Sequence, residues 1–316
     1  MQIEKCKLKN ANLSSLIKTA LKEDIGRGDI TSNLIIPPKR RIQAVIVAKE
    51  KGVVCGLDVA RLVFKTVDKK IRFRAATSDG EKVEAGRILA RLEGEARNIL
   101  KAERAALNFL GRLSGIATLT NKFVRRVAPY RVKIMDTRKT TPGLRVLEKY
   151  AVRCAGGFNH RMGLWDQILI KDNHLLVARH WSLVSSKKPL KEIIEKIKQK
   201  KPKGVKVEIE VKNLQEFKEA VQALPDIIML DNFKLKDIRK AVKMRNAIRL
   251  PAGKAGNTQY PPTLKLRRAG AIPKLEVSGG VNLSNVRSIA ACGAEMISVG
   301  ELTHSARALD LALNCE

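Results

Sequence analysis

The stretch 136–174, DTRKTTPGLRVLEKYAVRCAGGFNHRMGLWDQILIKDNH, crowds fixed positive charge and glycine between two short apolar runs. Arg138 and Lys139 follow the run 132–135. His160 and Arg161 follow a Gly-Gly. Lys171, Asp172, Asn173 and His174 follow the run 168–170. Short apolar runs bounded by turn residues read as buried parallel strands. If these strands are parallel, the cationic clusters at their ends converge on one cleft, which suits a small, multiply anionic substrate.

The same rhythm continues outward. Runs at 132–135, 167–170, 205–211, 226–230, 274–279 and 296–300 alternate with helical stretches, a pattern that predicts an α/β barrel with fewer than eight clear strands. Residues 248–273 break the rhythm with three prolines before Pro273 and read as an inserted loop. Upstream, 12–22 predicts a helix, 23–32 (EDIGRGDITS) a turn, and 42–95 mostly strands around a short helix, LDVARLVFKTV. The segment DGEKVEAGRILARLEGEA resembles a biotinyl or lipoyl hairpin. It has no lysine at the turn for a cofactor, so a structural β-hairpin is expected. Residues 97–127 keep helical spacing of Leu100, Leu107, Leu110 and Leu113, and this helix is expected to bridge two domains.

Composition narrows the class. With 316 residues and 44% apolar content, the chain can fill two domains. No apolar run approaches the roughly 20 residues of a membrane helix. The opening MQIEKCKLKN has no hydrophobic segment of the secretory kind. Five scattered cysteines without a C-x-x-C argue for a reducing compartment and against a disulfide or zinc framework. The net charge of +31 raises nucleic acid as a partner. Against that, the lysines are spread along the chain, 187–206 reads as an amphipathic helix with a solvated face, and no aromatic RNA-binding cluster appears. The charge still suits acidic substrates.

Several residues stand where barrel chemistry sits, on loops after strand C-termini. Ser278-Gly279-Gly280 and Gly300 end two successive strands; each is either a phosphate-binding turn or a tight βα turn. Glu208 and Glu210 share one face of VEIEV, and Asp231 ends the next strand. Buried carboxylates of this kind are paired with lysines, or they hold a metal or sugar hydroxyls. His160, His174 and His304 lie in these loops without metal-ligand spacing and read as donors to anionic oxygen. Cys154 has no adjacent base and reads as structural.

Taken in order, EDIGRGDIT, ERAALNFLGRLSGIAT, DTRKTTPGLR, KYAVRCAGGFNHRMGL, LIKDNH, VEIEV, LDN, SGG and SVGELTHS resemble the quinolinate phosphoribosyltransferase family (nicotinate-nucleotide pyrophosphorylase, carboxylating) from about residue 14 onward. The resemblance implies a type II phosphoribosyltransferase-like fold. An N-terminal α/β sandwich, 1–115, would join a C-terminal incomplete (β/α) barrel, 116–316. It implies a cytoplasmic homodimer, with a hexamer left open, in which the sandwich caps the partner's barrel and Arg104 reaches the neighbouring site. By the same resemblance Arg138, Lys139, His160, Arg161 and Lys171 form a basic pocket. Glu210 and Asp231 are the acidic pair, close to Mg²⁺. Ser278, Gly279, Gly280, Gly300 and His304 serve the phosphate side, with Lys139, Lys171, Glu210 and Asp231 as the catalytic set. The implied substrates are quinolinate and phosphoribosyl pyrophosphate, and the implied product is nicotinate mononucleotide. A molybdenum-transport-associated relative shares the fold, but LIKDNH and the intact acids favour the biosynthetic enzyme. A polyanion-binding protein would use the charge alone.

Overall fold

The computed structural model describes residues 10–180, 190–248 and 272–316. The insertion expected at 248–273 falls almost wholly outside the described residues. In chain order the strands are β1 (Arg41–Ala48), β2 (Gly52–Val53), β3 (Arg72–Ala75), β4 (Lys82–Val83), β5 (Ile88–Glu95), β6 (Lys133–Met135), β7 (Ile168–Ile170), β8 (Val207–Val211), β9 (Ile227–Asp231), β10 (Lys274–Ser278), β11 (Met296–Ser298) and β12 (Leu311–Cys315). They fall into two compact units.

The first unit holds the described residues up to Val124, with Lys139–Asn159 and Gly300–Glu316. Its main sheet is antiparallel, in the order β12-β1-β5-β3, and β2 pairs separately with β4. Helix Leu57–Val67 matches the expected LDVARLVFKTV. Leu57, Val59, Ala60, Val63 and Phe64 form its buried stripe, the spacing of an amphipathic helix. The helix Ala96–Val127 buries Ile99, Leu110 and Leu113. Besides its N-terminal residues the first unit takes in Lys139–Asn159, and it takes in the end of the chain because the last strand, β12, returns to pair with β1 from Ala44↔Cys315 to Ala48↔Leu311.

Two local expectations need correction. Residues 79–96 do not form a hairpin, since β4 joins β2 while β5 joins β1 and β3. The two-residue β4 offers little to pair with, whereas the eight residues of β5 match β1 along most of its length. Within 23–32 the chain is not all turn. A short helix, Ile30–Ile35, begins there, and the Asp29 side chain accepts from Ser32 N–H at 2.9 Å. That is the N-cap geometry an aspartate supplies.

The second unit, Arg125–Arg138 and His160–Val299, is built on six parallel strands in the order β6-β11-β10-β9-β8-β7. All six expected runs are strands. Successive strands from β7 to β11 are neighbours, and β6 lies beside β11, which is the winding of a barrel with fewer than eight strands. Val207, Ile209 and Val211 of β8 are buried, as are Ile227 to Leu230 of β9, as strands covered on both faces require. Helices Leu214–Ala223 and Leu235–Ala247 bury Phe217, Ala220, Val221, Ile238, Ala241 and Val242. Among the described residues no helix is long and apolar enough to cross a membrane.

Candidate active site

Parallel strands point all their C-terminal ends the same way, so the second unit gathers its loop residues at one edge of the sheet. Two-residue periodicity puts Glu208 and Glu210 on one face of β8. Their fates differ. Glu210, near the strand end, receives the Lys171 ammonium at 2.7 Å. The Lys171 backbone N–H donates to His174 Nδ1 at 3.0 Å, which holds the turn after β7. Glu208, one pleat deeper, is 0% exposed and belongs to a buried polar layer.

His160 is the centre of that layer. Its backbone N–H donates to Asp136 Oδ1 at 2.9 Å, tying the loop to the end of β6. Its Nδ1 accepts from Arg161 N–H at 2.7 Å, so the ring proton sits on Nε2. Nε2 faces Glu208 Oε2 at 3.1 Å and Glu276 Oε1 at 3.5 Å. Gln167 Nε2 donates to Glu208, and the Ser298 hydroxyl donates to Glu276. Glu276 is 1% exposed. Burial first, and the Glu208 charge second, push its carboxyl up to about 8. It therefore holds its proton at neutral pH. One imidazole, one carboxylate and one carboxylic acid share the layer. Their three ligand-type atoms lie within 4.8 Å of one another, and that proton relieves the acid pair without any ion.

Arg161 is 6% exposed, and its Nη1 donates to Gln167 O at 3.1 Å. Among the described residues no carboxylate forms an ion pair with it. Burial, and then the charge of Arg138, lower its pKa. A buried guanidinium disfavoured by desolvation and by a second guanidinium gains from any anion that reaches it. Arg138 itself is exposed.

At the next strand ends, Asp231 of β9 stands in register with Ser278 of β10. Asn232 has a left-handed backbone, φ 56°. Its N–H donates to Ser278 O at 2.9 Å, and its Nδ2 donates to Asp231 Oδ2 at 3.1 Å. Gly279 has φ 88°, and a Cβ there would lie 2.2 Å from Asn232 Oδ1. Only glycine fits, for both reasons. The helix that follows, Val286–Ala290, is five residues long, so the turn itself presents this backbone.

The first unit holds a second group of expected residues. Gly300, Lys139 and His304 come together: a Cβ on Gly300 would lie 3.0 Å from His304 Nε2 and 3.2 Å from Lys139 Cδ. Thr303 Oγ1 donates to Lys139 O at 2.7 Å. Arg104 projects from the helix Ala96–Val127, 61% exposed, with Glu103 Oε1 at 3.6 Å. The candidate residues therefore divide by unit. Arg138, His160, Arg161, Lys171, Glu210, Asp231, Ser278, Gly279 and Gly280 belong to the second. Arg104, Lys139, Gly300 and His304 belong to the first.

Glu276, Asp136, Gln167 and Ser298 escaped the sequence reading. Glu276 had a signal, being a lone acid inside the apolar run KLEV, as Glu208 is inside VKVEIEV.

Comparison with known proteins agrees along nearly all of the chain. Residues 29–114 match the quinolinate phosphoribosyl transferase N-terminal domain, and residues 116–314 match the C-terminal domain of the same family. The chain is 39% identical over 301 residues, 95% of each sequence, to a probable nicotinate-nucleotide pyrophosphorylase [carboxylating] of Methanocaldococcus jannaschii. It is 36% identical over 307 residues to a protein of the same description from Bacillus subtilis, covering 97% of this chain and 94% of that one. Among solved structures, the nicotinate-nucleotide pyrophosphorylase from Francisella tularensis superposes with a TM-score of 0.83 at 37% identity, covering 98% of both chains.

Proposed function

The chain belongs to the quinolinate phosphoribosyltransferase family, and from that premise we propose which of its residues carry the reaction. The reaction is phosphoribosyl transfer from phosphoribosyl pyrophosphate to quinolinate with decarboxylation. It gives nicotinate mononucleotide, pyrophosphate and CO₂, a step of NAD biosynthesis. The polyanion-binding and molybdenum-transport readings are not favoured, since the curated relatives carry the enzyme's name.

Arg161 carries the assignment: it is buried, no carboxylate pairs with it directly among the described residues, and the charges of Glu208 and Asp166 offset burial and Arg138 only in part. Quinolinate is a pyridine with two adjacent carboxylates, so its pocket needs fixed cations in a place that water does not fill. We assign Arg161 and Arg138 to those carboxylates, with Arg104 in the same role and Lys139 and Lys171 as further cations. His160 has both ring nitrogens engaged by Arg161, Glu208 and Glu276, which supports a positioning role in holding the Arg161 backbone. Ser278, Gly279, Gly280, Gly300 and His304 are assigned to phosphate oxygens. The backbone at Gly279 is open to close approach because nothing larger fits there.

As pyrophosphate leaves, C1 of the ribose becomes electron-poor. Glu210 and Asp231, at adjacent strand ends, stabilise that charge and hold ribose hydroxyls. Lys171, 2.7 Å from Glu210 Oε2, holds that carboxyl in place. The pyridine nitrogen takes the ribose and becomes cationic. The ring can then release its neighbouring carboxylate as CO₂ and take a proton in its place. No covalent nucleophile is needed.

Mg²⁺ fits the donor set, since Glu210 and Asp231 offer the hard oxygens that this ion takes. When bound, it would supply charge neutralisation on the pyrophosphate. We also propose a cytoplasmic homodimer. Ile30, Leu34 and Ile35 stand 73–80% exposed on one short helix, which supports a partner covering that face. The residue assignment is tested by Arg161→Ala. Its KM for quinolinate should rise by roughly 30- to 1,000-fold, from the roughly 2–4 kcal/mol of a lost buried charge contact. The KM for phosphoribosyl pyrophosphate should change far less. An equal loss for both substrates would overturn the assignment.

A further inference from the structure

In the first unit two cysteines that the reaction does not use stand together. Cys55 follows β2 and is buried; Cys154 ends the helix Arg145–Cys154 and is half-buried. Both sulfurs lie within 4.8 Å of each other and of an Asp79 carboxylate oxygen. Such a trio could suggest a thiophilic metal, but Asp79 is occupied. Its Oδ1 accepts from Gly56 N–H at 3.0 Å and Leu57 N–H at 3.1 Å, and its Oδ2 accepts from the Tyr150 hydroxyl at 2.7 Å. The two thiols stand side by side next to this bonded carboxylate.

Both backbones are held firmly. Cys55 N–H donates to Ser114 Oγ at 2.9 Å, and the Ser114 hydroxyl donates back to Cys55 O at 3.2 Å. Gly80, in a left-handed turn, packs so closely that a Cβ there would lie 2.9 Å from Cys154 O. The two sulfurs, within 4.8 Å of each other, are close enough for a disulfide to be tested directly.

We propose that Cys154 and Cys55 are a dithiol pair that exchanges with low-molecular-weight disulfides, Cys154 attacking and Cys55 resolving. The division of labour follows from access: Cys154 reaches solvent and Cys55 does not. The environment agrees, because a hydrogen bond from the Cys55 thiol is the first cause lowering the Cys154 pKa. Tyr150 contributes less, since its one hydroxyl proton is directed at Asp79. In the first step the Cys154 thiolate attacks one sulfur of the small disulfide, forming a mixed disulfide and expelling one thiolate. In the second, Cys55 gives up its proton and its sulfur attacks the Cys154 sulfur, expelling the other thiolate. Two protein thiols and one small disulfide become one protein disulfide and two small thiols. The two electrons lost by the pair reduce the reagent. An accessible, acidified cysteine beside a resolving one is the arrangement that supports such chemistry.

The test uses the full chain and glutathione disulfide, with each cysteine read by mass spectrometry after alkylation and digestion. The expected result is a Cys55–Cys154 linked peptide, lost on adding dithiothreitol. Cys55→Ser should instead trap glutathione on Cys154, and Cys154→Ser should leave Cys55 unmodified. A measurement without substitution runs beside it. Iodoacetamide at neutral pH should label half-buried Cys154 before exposed Cys315, whose pKa burial pushes up. Labelling of Cys315 first, or glutathione on Cys315 with Cys55 and Cys154 both still alkylatable, would overturn the proposal.

Discussion

Replacing Glu276 with glutamine tests the buried layer under the candidate site. The carboxyl of Glu276 is pushed from an ordinary 4.5 up to about 8, chiefly by burial. In the unfolded chain the same group ionises near 4.5. Between those values the folded state binds one proton more than the unfolded state, so stability falls as pH rises. The contribution is fully present below 4.5 and is lost as pH climbs through about 8. The slope is about 1.4 kcal/mol per pH unit until the folded group itself ionises. From pH 6 to pH 9 the loss integrates to roughly 3 kcal/mol, an order-of-magnitude figure because Glu208 and His160 share the layer. Glu276→Gln keeps the shape, still accepts from Ser298, and has nothing to titrate. Groups distant from the layer titrate alike in both proteins and cancel in the difference, while His160 and Glu208, which touch Glu276 or feel its charge, set the spread of the expected value. Thermal unfolding followed by circular dichroism at pH 6 to 9 reads this directly. The wild-type midpoint should fall by roughly 4–5 °C more than that of Glu276→Gln over the range, from an unfolding entropy of about 2.1 cal/mol/K per residue. Equal slopes for the two proteins would refute the reasoning, and a steeper fall in the variant would place the shared proton elsewhere.

Gly279→Ala should cost about 1–3 kcal/mol of stability, because φ is 88° and the new methyl would meet Asn232 Oδ1 at 2.2 Å. It should also raise the KM for phosphoribosyl pyrophosphate. Denaturant titration and steady-state kinetics check both effects, and an unchanged protein contradicts the glycine argument. Arg112→Ala should destabilise by about 3–5 kcal/mol. It leaves Glu148 buried without the guanidinium that pairs with it at 2.7 Å and without the further bond to Ala306 O. Arg112→Lys should recover only part of that loss, since an ammonium lacks the fork that serves Glu148, Ala306 O and Thr303 O together.

The barrel unit was legible because buried parallel strands leave a plain trace. Each of 132–135, 167–170, 205–211, 226–230, 274–279 and 296–300 is an apolar run too short for a helix, and each contains a strand. The helices Leu57–Val67 and Ala96–Val127 were legible through apolar spacing. Pairing was not. That β5 leaves β4 for β1, and that β12 returns across the whole chain to β1, depends on long-range register that no local window holds. The outer site residues were legible as charge at strand ends. The layer beneath them was harder, because Asp136, Gln167 and Ser298 are ordinary polar residues until folding brings them to His160 and its acids. Glu208 and Glu210 looked equivalent on one strand face; a single pleat of depth separates a Lys171-paired acid from one buried beside His160.

As a member of the quinolinate phosphoribosyltransferase family, the protein transfers phosphoribose to a pyridine bearing two carboxylates. The most direct measurement incubates the protein with phosphoribosyl pyrophosphate, Mg²⁺ and either quinolinate or nicotinate, following mononucleotide and CO₂. Nicotinate mononucleotide and CO₂ are expected from quinolinate, and no product from nicotinate. Product from nicotinate at a comparable rate, or none from quinolinate with a folded protein, would contradict it.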